Sequence, residues 1–99
     1  MIVRITPAAE ADLEVIGDWI AQDSPERALT FVEELREACL TLAEIPEGYA
    51  LVPRYADAGI RRRVYGNYLI FYRILGGEIQ VLHILHGARE YEAILFPDG

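Results

Sequence analysis

The residues with chemistry to offer gather in the second half of the chain: Arg61, Arg63, His86, Arg89 and Tyr91. Cutting an RNA strand without a metal needs a group that activates or orients the 2′-hydroxyl, cations for the developing phosphorane charge, and an acid for the leaving oxygen. These five side chains make a partial set. Two features work against it: all 9 bases are Arg with no lysine, and Glu90 stands beside Arg89, where it weakens attraction for phosphate. The same Arg residues suit a bidentate grip on a protein's carboxylates. They equally suit plain shielding of an edge strand, so Arg61 and Arg63 carry both readings. His83 reads as a hydrogen-bonded core histidine and Cys39 as core packing. Two histidines without suitably spaced carboxylates do not make a metal site, and no cofactor is expected.

These groups ride on Ile60 to Tyr91, IRRRVYGNYLIFYRILGGEIQVLHILHGAREY, in which three apolar runs are separated by Gly66-Asn67 and Gly76-Gly77. Paired turn residues between runs rich in Val, Ile, Leu, Phe and Tyr predict a three-stranded antiparallel meander. A two-residue turn at Gly76-Gly77 sorts its side chains by the period of two. One set is Tyr68, Ile70, Tyr72, Ile74, Ile79, Val81, His83 and Leu85; the other is Leu69, Phe71, Arg73, Gln80, Leu82, Ile84 and His86. Neither is polar enough for open solvent, so both faces of the sheet need a cover.

The first half supplies one cover. Ile2 to Ile5 reads as a strand, and Thr6-Pro7 as the N-cap and first position of a helix. Ala9, Leu13, Ile16 and Ile20 form its apolar stripe, with Trp19 and Val15 at the margin and Asp12 as a lone charge inside it. Asp12 and Arg62, another lone charge on an apolar face, are expected to pair. Ser24-Pro25 opens a second helix reaching about Glu44, with Ala28, Phe31, Val32, Leu35, Cys39 and Leu42 on one face and Leu29 and Leu40 left over. Residues 49 to 59 read as an ordered loop with Tyr49, Leu51 and Tyr55 turned inward, and the tail EAILFPDG as a helical turn or a segment lying across the sheet. The expected fold is α+β in a single domain over residues 1–99: an N-terminal strand, a helical hairpin, then the meander.

The net charge of −7 argues against generic nucleic-acid binding, whose affinity comes from neutralising phosphates. Residues 1–50 hold 11 acids against 3 Arg, residues 51–99 only 5 acids against 6 Arg. The N-terminus lacks a basic stretch followed by a long apolar one, and no uncharged run nears membrane-spanning length, so a cytoplasmic protein is expected.

Taken together, IVRIT, AEADLEVIGDWI, SPERA, LAEIPEGY, GIRRRVYGNYLIFYRI and IQVLHILHGAREY, in this order and spacing, resemble the ParE branch of the RelE/ParE superfamily of bacterial toxins across nearly the whole chain. The resemblance implies a non-catalytic inhibitor of DNA gyrase, held inactive by a ParD-like antitoxin part of which folds on the toxin. RelE relatives instead cut mRNA on the ribosome, and a degenerate toxin would keep only antitoxin binding and autoregulation. Candidates for target contact are Arg61, Arg63, His86, Arg89, Glu90, Tyr91 and Phe96. Candidates for antitoxin contact are Trp19, Leu29, Leu40, Leu69, Phe71, Leu82 and Ile84, the last four as an apolar sheet face left for the partner to cover.

Overall fold

Two Pro-led caps decide where the helices start. In the computed structural model, which describes residues 1–96, strand β1 (Ile2–Ile5) runs into Thr6, whose hydroxyl accepts from the Ala9 N–H and so caps helix α1 (Pro7–Ala21). Ser24 caps α2 (Pro25–Leu40) in the same way through the Arg27 N–H. Each cap satisfies an orphan donor, and each proline occupies a position whose N–H would be unpaired anyway. A 3-10 turn, Thr41–Glu44, prolongs α2. The helices approach closely at Gly17, where a Cβ would lie 3.2 Å from Val32 Cγ2.

The meander forms as β2 (Arg61–Tyr65), β3 (Tyr68–Leu75) and β4 (Glu78–His86). Gly76 and Gly77 take φ of 59° and 78°, the left-handed pair that a two-residue hairpin turn of matching twist demands. β1 joins the far side of β4 in parallel, giving the order β1-β4-β3-β2, and it pairs only with Glu78–Val81 before Thr6 turns the chain into α1. Among the described residues no helix is long and apolar enough to cross a membrane.

The register departs from the expected one at a single place. Tyr72 pairs with Val81 but Phe71 pairs with His83, so Leu82 is an extra residue on β4 and every side chain beyond it changes face. Ile84 therefore joins Ile70, Tyr72, Ile79 and Val81 under the helices, against Ala9, Leu13, Ile16, Leu35, Cys39 and Leu42. Leu85 moves to the opposite face. Thr6 and Asp12 stitch the bulge: the Thr6 hydroxyl donates to Val81 O at 2.7 Å, and the Asp12 carboxylate accepts from the Ile84 N–H at 2.9 Å.

The second face is covered by the chain itself, which corrects the expectation of an open sheet surface. Leu69, Phe71 and Leu85 are buried there with Val52 and Ile60, and packed on them are Tyr55, Leu82, Tyr91, Ile94, Leu95 and Phe96. The loop contributes a 3-10 turn, Pro53–Ala58, and the tail a short helix α3 (Tyr91–Leu95), so the tail both turns helical and lies on the sheet. Tyr49 and Tyr55 of the loop pack inward as expected, while Val52 is buried in place of Leu51, which is exposed. Pro97, Asp98 and Gly99 of the tail lie outside the described residues.

Candidate functional site

Asp12 does not meet Arg62. Its Oδ2 lies 2.8 Å from His83 Nδ1 and accepts the Ile84 amide, so the lone charge on α1 is answered by β4 at its bulge. Arg62 instead points to the second face, 3.5 Å from the Tyr91 hydroxyl. His83 is hydrogen-bonded as expected, but its cross-strand neighbour is Phe71 and not Ile70.

The basic run is drawn into the fold. Arg63 donates to Ala38 O at 2.6 Å and to the Thr41 hydroxyl, with its guanidinium over the Tyr49 ring, so it closes the C-terminal end of α2, where carbonyls lack helical partners and the dipole favours a cation. Arg61 donates to Glu47 O and, at 2.7 Å, to Tyr49 O. Both side chains are half-buried with backbone oxygens as partners. The last turn of α2 carries no base of its own, and Arg63 supplies the cation there from β2.

His86, Arg89 and Glu90 remain exposed at the end of β4. The His86 Nδ1 accepts the Ala88 N–H, its ring stands edge-on to Tyr68 at 5.3 Å, and the Arg89 N–H closes a turn onto His86 O. Tyr91 is turned inward with its ring 4.8 Å from Phe71, and Phe96 stacks on Tyr55 at 3.8 Å. Arg54 and Glu92, paired at 2.8 Å, tie the loop to the tail. The expected target-contact residues thus divide between an exposed tip and a packed strap.

The expected antitoxin-contact residues divide as well. Leu69, Phe71 and Ile84 are buried and Leu82 is partly buried, whereas Trp19, Leu29 and Leu40 stand exposed. The indole of Trp19 is 66% exposed and Val15 64%, a large apolar surface on one helix face. Together with Asp12 and Ile16 they form one wall of a groove of about 420 Å³, whose other wall is Ile84, Leu85 and His86, with Tyr68 and Arg89 at its end. The groove is missed by sequence reading because it lies where β1 stops short and α1 faces the unpaired end of β4.

No group of three or more His, Cys, Asp or Glu among the described residues is placed to hold a metal ion. Burial pushes the Cys39 thiol up to about 12, which leaves it protonated and unreactive. Glu34 is held below the usual carboxylate range by hydrogen bonds from Arg27 and Tyr65, and Tyr65 is raised in turn by Glu34.

Comparison with known proteins adds what geometry does not supply. The family described as "ParE toxin of type II toxin-antitoxin system, parDE" matches residues 3–91. The chain is 38% identical over 82 residues to Toxin RelE2 of Caulobacter vibrioides, covering 82% of this chain and 89% of that one. It is 30% identical over 93 residues to Toxin ParE1 of the same organism, covering 93% and 95%. Among solved structures, the chromosomal ParDE TA system from P. aeruginosa contains a chain that superposes with a TM-score of 0.75 at 29% identity, covering 87% of this chain and 95% of that one.

Proposed function

The chain belongs to the ParE toxin family of type II toxin-antitoxin systems, and from that premise we propose that it is a non-catalytic inhibitor of DNA gyrase neutralised by a ParD-type antitoxin. The observation that most supports binding over cutting is the use made of Arg61 and Arg63. A phosphorane needs cations aimed at it, and these two guanidiniums are aimed at backbone oxygens of the loop and of the end of α2. The exposed tip of His86, Arg89 and Glu90 mixes both signs of charge and presents a protein-contact surface more than a phosphate site. Inhibition then consists of holding the gyrase-DNA complex by surface contacts, with no bond made or broken by the toxin. The antitoxin partner is supported by the likeness to a chain of a ParDE system.

A supercoiling and cleavage-complex assay with purified protein tests this reading. Impaired supercoiling with accumulation of broken DNA is expected; unchanged supercoiling at a toxin excess over gyrase rejects it. The relative named RelE2 favours a second reading, ribosome-dependent mRNA cleavage. Primer extension on transcripts after induction separates the two, since new 5′ ends arise only from cleavage.

A further inference from the structure

β1 is one edge of the sheet: it pairs with β4, and among the described residues no strand lies on its other side. The Thr6 N–H bonds to Val81 O, and alternation from that bond turns the backbone groups of Ile2 and Arg4 toward β4 and those of Val3 and Ile5 outward. An open edge is ordinarily guarded by lysine, proline, a bulge or shortness. Of these β1 has only its length of 4 residues, and its single charge, Arg4, is drawn to Glu78 at 3.3 Å. Exposed apolar side chains collect around it. On the second sheet face Ile2, 72% exposed, and the exposed Leu75 flank Glu78 in one cross-strand row, and neither packs with the strap. On the helix face Met1 and Ile45, both more than half exposed, line a hollow of about 380 Å³ with Pro46 and Ile74. Contiguous apolar surface of this kind marks a contact. The acidity of the chain lies elsewhere: α1 and α2 carry four acids each, of 16 in all, so two copies repel one another less at β1 than at their helices.

We infer that a second copy of this chain covers the edge, the two β1 strands pairing antiparallel across a two-fold axis so that the two four-stranded sheets become one continuous sheet. An isologous contact sets residue i against j and j against i, and the axis stands at the level of one residue, because side chains directly opposite one another must share a face. Two such registers use both outward-facing residues. With Arg4 at the axis, Val3 meets Ile5, and Arg4 stands directly against the partner's Arg4, which like charges disfavour. With Val3 at the axis, Val3 exchanges both backbone bonds with the partner's Val3, and the Ile5 N–H reaches the carbonyl of the partner's Met1. Ile2 then lies against the aliphatic stem of the partner's Arg4, and the side chain of Met1 against the partner's Ile5. The register with Val3 at the axis therefore covers the exposed apolar residues and opposes no like charges. This edge is complementary to itself: its apolar end and its one cation meet in reverse order, twice.

The test is sedimentation velocity with amide hydrogen exchange on the purified full-length chain, free of antitoxin, from about 1 to about 500 μM, the range in which a small interface dissociates. The mass is expected to rise from one chain toward two. Over the same range the Val3 and Ile5 amides are expected to exchange about tenfold more slowly, while the Arg4 amide, already turned toward β4, changes little. Ile2→Lys sets a lysine against the partner's Arg4 at two symmetric places and is expected to weaken the dimer about tenfold with Tm unchanged, since Ile2 is exposed in the single chain. Val64→Asp, exposed on β2 at the far edge, leaves the dimer as it is. A single-chain mass at every concentration overturns the inference. A dimer whose Val3 and Ile5 amides stay unprotected, or which Ile2→Lys leaves intact, overturns β1 as its seat. Protection of those amides only after antitoxin is added, with one toxin per complex, assigns the edge to the antitoxin and overturns the second copy.

Discussion

The two faces of one sheet are covered in different ways. On one, α1 and α2 bury a continuous cluster in which Leu13, Leu35, Leu42, Ile70, Tyr72 and Ile79 are essentially inaccessible. On the other, Phe71 and Leu69 are buried under a 3-10 turn and a helix of 5 residues, none of them itself buried, and α3 lacks a side-chain cap. The first cover consists of long elements started by strong caps, whereas the second is built from short turns with no fully buried residue, tied down by apolar packing, two aromatic contacts and an exposed ion pair. Helical and strand stability in a small domain comes mostly from burial, so the helical face should carry the fold. The strap face should open at lower cost, since local openings draw on regions with few buried contacts.

The largest expected effect breaks the helical side. Leu35→Ala removes a fully buried side chain at the centre of the first cluster, and large-to-small changes at such sites cost about 3 kcal/mol. Urea denaturation should show that loss, with a fall in Tm of roughly 15 °C for a domain of this size. A loss comparable to that of a surface substitution would mean that the first face is not the dominant core.

At the boundary between the faces stands Asp12. Asp12→Ala removes the acceptor of the part-buried Ile84 N–H and His83 ring, and loss of hydrogen bonds to a charged group costs about 2 kcal/mol. Asp12→Asn keeps an acceptor oxygen and should lose less. Equal losses from the two variants, measured by urea denaturation, would show that the charge matters and the amide bond does not.

Asp12 also marks how far the sequence could be read. Caps at Thr6-Pro7 and Ser24-Pro25, and the turns at Gly66 and Gly76-Gly77, are local chemistry, and each element begins or turns where those residues stand. The bulge at Leu82 has no such mark. No glycine or proline accompanies it, and it is imposed from outside by Thr6 and Asp12, which are more than 70 residues away in the chain. A strict period of two consequently put Ile84 on the wrong face. The same limit hid the roles of Arg61 and Arg63, because an arginine that closes a distant helix end looks the same in sequence as one that faces solvent. Trp19, at the margin of its helix stripe, was legible as a large apolar residue that could be left in water, and Arg89 as an ordinary surface charge; the groove joining them needed the strand lengths.

The strap side should yield to a smaller change. Tyr91→Ala removes the ring that lies on Phe71 and the hydroxyl near Arg62, and aromatic pairs of this kind contribute about 1 kcal/mol beyond their buried area. Global stability should fall by about 1 to 2 kcal/mol, while amides of α3 and of residues 53–58 lose protection well before those of α1 and α2. Uniform loss of protection across both covers would show that the strap and the helical core unfold as one unit.

The smallest expected effect separates the covers by pH. Arg36 on α2 forms a two-pronged pair with Glu10 on α1, at 2.6 and 3.1 Å, and this hydrogen bonding holds the Glu10 carboxyl below its ordinary value of 4.5. A carboxylate whose folded pKa is depressed stabilises the fold above the unfolded value, and that contribution disappears as pH falls through the folded pKa. Both side chains are more than a third exposed, so solvent screening limits the pair to about 0.5 kcal/mol. Glu10→Gln should therefore lower stability slightly at pH 7 and converge with the wild type as pH drops from 4.5 toward the acid side, measured as the difference in Tm between the two proteins. Because the pair joins α1 to α2 and touches nothing in the strap, amide protection in α3 should be the same in both proteins at every pH. A Tm difference that persists in acid would show that the contribution of Glu10 does not come from its charge.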